Sequence, residues 1–363
     1  MNWLRHSFGS LGAHVGGRDN NFNLIRFLAA TAVLFSHSYA LSIGNPNAEP
    51  LRASLGVTLG QIAVDVFFMT SGFLVTASLI ARKEVLTFAI ARCLRIYPGL
   101  IVAIVLTTLV VGWNFTTLAP REFFSSTDTW RYVIKNSTMI TGEAHMLPGA
   151  FETTPWRHLV NASLWTLPYE LGMYCTLGVL WIVLSALRSN RQLRWVVLCI
   201  AVTGLSAQLA LHDSLSSNAL RLTALFFVGS SLYTFRDAIP MSGAIFLALS
   251  AALLVSALDA RWFNAVYLLS MPYLVLFLAY IPGGAVRRFN DFGDCSYGMY
   301  IYAWPVQQIS AALLPKIEPL PMFAVSFVVT LALAFVSWRL VEKPALSLKG
   351  RAPRPSPSLT GAG

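Results

Sequence analysis

Long apolar runs, broken by short polar and basic stretches, recur along almost all of this 363-residue chain. That alternation leaves few folds open. In hydrocarbon every backbone N–H and C=O has to be paired within the protein, so only helices and closed barrels cross a bilayer. A barrel would show segments of about ten residues with alternating hydrophobicity. Here the runs are longer and continuous, and spanning helices are expected over 22–43, 59–81, 95–113, 163–186, 195–212, 219–235, 242–259, 262–281, 296–315 and 319–341. The reading is an all-α, polytopic membrane helix bundle with about ten transmembrane helices. Charged residues make up 12% of the chain, against roughly 25% in soluble domains, so no second soluble domain is expected.

The segments follow from the same pattern. Residues 1–21 are polar and Gly-rich, without the short apolar core and small-residue cleavage site of a cleaved signal peptide. Residues 22–345 form the membrane domain, with one long aromatic and polar loop at 114–162. Residues 346–363, rich in Pro and Ser, are expected to be a disordered tail.

Charge sets the orientation. With the N-terminus inside, the inner segments hold 16 Lys and Arg, and the outer segments hold 8, four of them in the 114–162 loop. Cytoplasmic loops carry such an excess, so both termini are expected in the cytoplasm and the long loop outside. The net charge of +10 is thereby assigned to topology and anionic lipid headgroups rather than to nucleic acid. Cys93, Cys175, Cys199 and Cys295 are scattered, with no C-x-x-C pair, so neither a disulfide framework nor a metal site is expected.

Polar groups within spans are expensive, on the order of 2.5–3.5 kcal/mol for a centrally placed Asp, Lys or Arg. Arg26 and His37, eleven positions apart in the first helix, lie about three turns and 16 Å apart on one face. A guanidinium suits phosphate, and an imidazole suits proton transfer near neutral pH. The spacing equally fits a snorkelling arginine and a hydrogen-bonded histidine. In the second helix, Asp65 could pair with an arginine or orient a histidine, and Ser71-Gly72 reads as a close-packing seam. Arg92 and Arg95, one turn apart just before the third helix, match a diphosphate or simply mark the inner surface. Glu170 enters the fourth helix from outside, behind Trp165 and Pro168, at the depth where His37 approaches the outer face. There it could orient the imidazole or act as acid or base. No G-x-S-x-G, H-E-x-x-H, Walker or Rossmann pattern is present.

The order and wording of these segments carry more than each alone. The Arg26–His37 spacing, DVFFMTSGFLV, ARCLRIYP, SLWTLPYE, SYGMYIYAWPVQQ and WRLVEKP occur in the order that resembles the acyltransferase-3 family of membrane acyltransferases. The likeness covers residues 20–345. It implies an acyl-coenzyme A donor, usually acetyl-CoA, reached from the cytoplasm of a bacterial cell through its inner membrane. It implies as acceptor a hydroxyl of a surface glycan, a lipid-linked saccharide or a similar exported molecule. By position, His37 would be the catalytic histidine, and Glu170 the family's Trp-Ser/Thr-Leu-x-x-Glu acid. Arg26, Arg92 and Arg95 would bind the donor. Asp65, Ser71, Tyr97, Trp165 and Tyr297 would support the substrates or the structure around them. Two positions depart: Asn23 stands where many members carry Asp, and Ala303 where many carry His. Some members append a soluble esterase-like domain; none is expected here, and if one is needed, a separate periplasmic partner is expected to supply it.

A transporter or flippase would also have about ten helices and polar residues at mid-membrane. The absence of a paired inverted repeat, and the clustering of charged positions in the first four helices, speak against it. A scaffold or receptor would not need Arg26 and His37 on one face.

Overall fold

A computed structural model of the protein describes residues 7–17, 19–210 and 217–351. Arg5, Arg18, Arg354 and the tail beyond Arg351 lie outside the described residues. The chain is a helix bundle. Its helices are α1 (Phe22–Ile43), α2 (Pro50–Leu55), α3 (Leu59–Arg82), α4 (Val85–Asn114), α5 (Pro120–Ser125), α6 (Thr127–Thr138) and α7 (Leu167–Ala186). They continue with α8 (Leu193–Ala210), α9 (Ser217–Thr234), α10 (Gly243–Ser256), α11 (Ala260–Tyr280), α12 (Ser296–Leu313), α13 (Pro319–Ser337) and α14 (Lys343–Ser347).

Among the described residues, seven helical segments, those containing α1, α3, α4, α7, α8, α11 and α13, are long and apolar enough to cross a membrane. Helices α9, α10 and α12 occupy the other three predicted spans. The 14 residues of α10 reach only about 21 Å, less than a hydrocarbon core of about 30 Å. Polar residues in α12 face protein rather than lipid, because the helix is buried from Ser296 through Gln308. Asp259 caps the start of α11 by accepting from the Arg261 N–H, which fixes the break between α10 and α11.

Close approaches hold the bundle. A Cβ on Gly72 would lie 1.8 Å from the Phe226 carbonyl oxygen, and one on Gly229 would lie 2.0 Å from that of Met69. Helices α3 and α9 therefore touch backbone to backbone, and the Ser230 hydroxyl donates to the Gly72 carbonyl. The expected seam at Ser71-Gly72 is there, with α9 on its other side. Gln307 of α12 donates to the Leu34 carbonyl and to the Ser38 hydroxyl of α1, at 2.8 and 2.7 Å.

The 114–162 loop is built rather than open. Helix α6 runs back along α4, and the Tyr97 hydroxyl donates to the Thr138 carbonyl at its end. The chain then crosses the outer end of α12: Gln308 donates to the carbonyls of Trp156 and Leu159, and Trp304 also donates to Leu159. Asn161 reaches deeper, donating to the Ile301 carbonyl. On the opposite face, a short strand β1 (Ser7–Ser10) pairs antiparallel with β2 (Pro240–Ser242), and Leu11 is fully buried beneath it.

Three expectations need correction. Helix α4 begins at Val85, not 95, and passes through Pro98; Arg92 and Arg95 therefore lie inside a helix, on one face. Pro98 and the flanking charges make an N-terminal signal in sequence, but packing against α12 and the C-terminal helices carries the helix through. Arg221, counted as an outer-loop charge, is buried. With these three arginines removed the bias is 14 against 7, still two to one. Finally, the chain stays helical through Arg351, so the expected tail does not begin at 346.

Candidate active site

Arg26, His37, Ser71, Arg92, Arg95, Trp165, Glu170 and Tyr297 line a series of adjoining cavities between α1, α3, α4, α7 and α12, whereas Asp65 and Tyr97 lie outside them. A cleft of about 540 Å3 opens on the face where β1 and the C-terminal turn lie, and Asn23, Arg26, Arg92, Arg95, Asp294 and Lys349 are among its walls. Ser71, Glu170, Tyr297 and Arg26 also line a narrow neck of about 50 Å3 above it. That neck shares Val64 and Tyr300 with an outer cavity of about 230 Å3, which holds His37. Tyr300 is the partition. Its hydroxyl donates to the Ser163 carbonyl at 2.8 Å and lies 2.7 Å from that of Thr166, so the turn leading into α7 holds the ring in place.

His37 packs edge-on against Trp304, ring centroids 4.8 Å apart. Its Nδ1 is buried without a hydrogen-bond partner among the described residues, leaving Nε2 as the nitrogen a reactant can use. The same cavity is lined by Ser36, Gln61, Trp165, Asn218 and Arg221. Asp65 is not beside His37. It pairs with Arg221 at 3.3 Å and accepts from the Tyr267 hydroxyl at 3.1 Å, so of its two sequence readings the arginine pairing is the one realised. Arg221 escaped the sequence reading because a charge near a helix end looks topogenic.

Glu170 does not share a cavity with His37. Its Oε1 accepts from the Tyr174 hydroxyl and, at 3.3 Å, from Ser71, on the basic side of the Tyr300 partition. The reason is that the chain dips inward at Asn161–Thr166 before α7 begins, which carries Glu170 past the level of His37. Trp165 reaches the outer cavity instead and packs on Tyr169.

The three arginines are not equivalent. Asp294, just ahead of α12, binds Arg95 at 2.5 Å and Arg26 at 3.4 Å, and its other oxygen accepts from Ser296. Burial alone would raise this carboxyl, but Arg95 and Arg26 outweigh it and hold it down at about 2. Arg95 also faces Glu342 at 3.9 Å and lies over the Tyr297 ring. Glu342 sits in a π-helical turn, Trp338–Glu342, and accepts from Ser337. Arg92 has no carboxylate within 4 Å among the described residues. It lies over the rings of Phe88 and Tyr174, and its Nε is buried without a partner. Tyr297 donates to the Ile96 carbonyl, bracing α12 against α4.

Sequence reasoning missed Asp294, Glu342, Tyr174 and Tyr300. Glu342 and Tyr300 stood within the quoted WRLVEKP and SYGMYIYAWPVQQ segments; unpaired arginines in the same bundle were the signal that acids were needed. Of the two departures, Asn23 lines the cleft, and Ala303 packs with Ala30, Leu34 and Met299. No group of three or more His, Cys, Asp or Glu suited to a metal occurs among the described residues.

A multi-pass helical bundle with a basic cleft adjoining a half-buried histidine is the architecture of a membrane-embedded protein with an internal polar site. A family model described as an acyltransferase domain matches residues 19–339, and the chain belongs to that family, acyltransferase-3. Among its relatives is an O-acetyl transferase of Shigella phage Sf6, 30% identical, with 94% of this chain and 99% of the relative aligned. Nodulation protein 10 of Rhizobium leguminosarum bv. viciae is 28% identical, over 94% of this chain and 97% of the relative. No solved structure matches. The protein is an acyltransferase of the multi-pass membrane type.

Proposed function

We propose that the protein is an O-acetyltransferase of the bacterial inner membrane. It would take the acetyl group of acetyl-CoA from the cytoplasmic side and deliver it to a hydroxyl of a surface or exported glycan, free or lipid-linked. The observation that carries the reading is the set of adjoining cavities from Arg92 and Arg95 through Glu170 and Tyr300 to His37. A diphosphate-bearing donor suits the basic cleft, its thioester arm suits the neck, and a sugar hydroxyl suits the polar outer cavity. The O-acetyl transferase at 30% identity supports acetyl as the group moved.

Two routes use His37. As general base it takes the acceptor hydroxyl proton while that oxygen attacks the thioester carbon, and the C–S bond breaks to release the CoA thiolate. As nucleophile Nε2 attacks the thioester carbon and the C–S bond breaks to release the CoA thiolate; the acceptor oxygen then attacks the acyl-imidazole, the C–N bond breaks, and the freed imidazole takes the hydroxyl proton. Glu170 belongs to the donor side in either route, held there by the Tyr174 and Ser71 hydroxyls, and the departing thiolate takes its proton from the imidazolium. Labelled acetyl trapped on the purified protein without acceptor would favour the second route. The reading is tested by comparing surface-glycan masses from cells with the intact gene, with a deletion and with His37→Ala. The wild type should carry an extra acetyl group that both others lack; identical masses in all three would refute it.

A further inference from the structure

The basic cleft holds four cations whose carboxylate partners are unevenly distributed. Asp294 lies between Arg26 and Arg95, and Glu342 adds a second acid to Arg95. Arg92 and Lys349 have no carboxylate within 4 Å among the described residues, and both line the cleft. The Arg92 guanidinium has Tyr174 and, farther off, Glu170 as its neighbours, while its Nε is buried with no hydrogen bond. Lys349 comes from the helical turn Leu348–Arg351, which packs against the inner end of α4, and lies beyond residue 339, where the family match ends. Two half-buried cations on facing elements, neither with a carboxylate within 4 Å among the described residues, are an arrangement that an added anion completes, because like charges crowded together repel. Burial and the nearby Arg92, Arg95 and Arg82 push the Lys349 ammonium down to about 8, the response expected of a cation crowded by cations.

Resting on the donor reading above, we infer that Arg92 and Lys349 form the phosphate-binding site of the cleft, and that Arg95 is a structural residue held by Asp294 and Glu342. The ligand chemistry is a phosphate ester or diphosphate. The CoA end of the donor supplies it, and the competing source is an anionic lipid headgroup.

The test measures binding of acetyl-CoA and of S-acetylpantetheine, which has the same thioester arm and no phosphate, to the full-length protein in nanodiscs. Lys349→Ala should weaken acetyl-CoA about tenfold or more and leave S-acetylpantetheine unchanged, as loss of one bond to a charged group predicts. Lys349→Arg should restore most of the affinity, and in turnover the change should fall on KM for acetyl-CoA. Equal acetyl-CoA affinity in wild type and Lys349→Ala overturns the inference, as does an equal loss for both ligands. In nanodiscs containing phosphatidylglycerol, a Lys349-dependent lipid effect with no Lys349 effect in pure phosphatidylcholine would assign the site to lipid and overturn it too. Failure of the wild type to bind either thioester would instead remove the donor reading itself.

Discussion

Asp294 accepts from Arg95 at 2.5 Å and from Arg26 at 3.4 Å, so one carboxylate ahead of α12 ties α4 to α1 at the mouth of the cleft. The C-terminal segment joins the same point through Glu342. The basic cleft is therefore framed by an ion network that also holds three spans and the chain's C-terminal part in register.

Removing that carboxylate leaves Arg26 without an acid and Arg95 with only the more distant Glu342. Asp294→Asn is expected to destabilise the protein by about 3–5 kcal/mol, seen as a lower midpoint of thermal unfolding in detergent. Because the Asp294 carboxyl is held at about 2, below the usual carboxylate value, its contribution is present in full above about pH 4. It should fade as the pH drops through about 2, and the variant should lack that acid-dependent component.

Tyr300 separates the basic and histidine cavities, and its hydroxyl is anchored twice. Tyr300→Phe keeps the ring and should cost about 1 kcal/mol of stability with most activity retained. Tyr300→Ala removes the partition. Its relative rate with butyryl-CoA over acetyl-CoA, measured by CoA release, should rise several-fold; an unchanged ratio would show that the ring does not limit the path.

If Lys349 holds the donor phosphate as proposed, binding should depend on pH. Its free ammonium titrates at about 8, and a bound phosphate would raise that value. More protons are then bound in the complex than in the free protein, so acetyl-CoA affinity should fall as the pH rises through about 8. Lys349→Arg should flatten the fall, as a guanidinium stays charged. A binding isotherm series from pH 6.5 to about 9.5 reads this directly.

Packing makes its own prediction at the α3–α9 seam. Gly72→Ala would set a methyl 1.8 Å from the Phe226 carbonyl oxygen, and α9 would have to move away. A loss of about 1–3 kcal/mol or more is expected from overpacking, against little effect at Gly172, whose added Cβ meets nothing. Unfolding midpoints of the two alanine variants compare them.

The spans were legible because lipid allows so few alternatives: each predicted helix has its counterpart, and even the brief Asp259–Arg261 break is a true cap. Arg26 and His37 were legible because eleven residues on a helix fix a common face. Depth was less so. Glu170 was placed beside His37 by counting residues from the outer surface, but that count fails where Asn161–Thr166 dips into the bundle. Pairing was not legible at all, since sequence spacing does not say that Asp65 meets Arg221, nor that Asp294 meets Arg95, across 156 and 199 positions. Such contacts are set by how helices pack, and every sequence distance between them is equally silent.

The central claim is that an acetyl group crosses from the Arg92 side of the bundle to His37. Sidedness tests it most directly, in proteoliposomes of uniform orientation. Labelled acetyl-CoA is supplied only to the Arg92 face, and glycan from gene-deleted cells only to the His37 face. Label should appear in the glycan with the wild-type protein and not with His37→Ala. Transfer that occurs only when donor and glycan share one face would contradict the account.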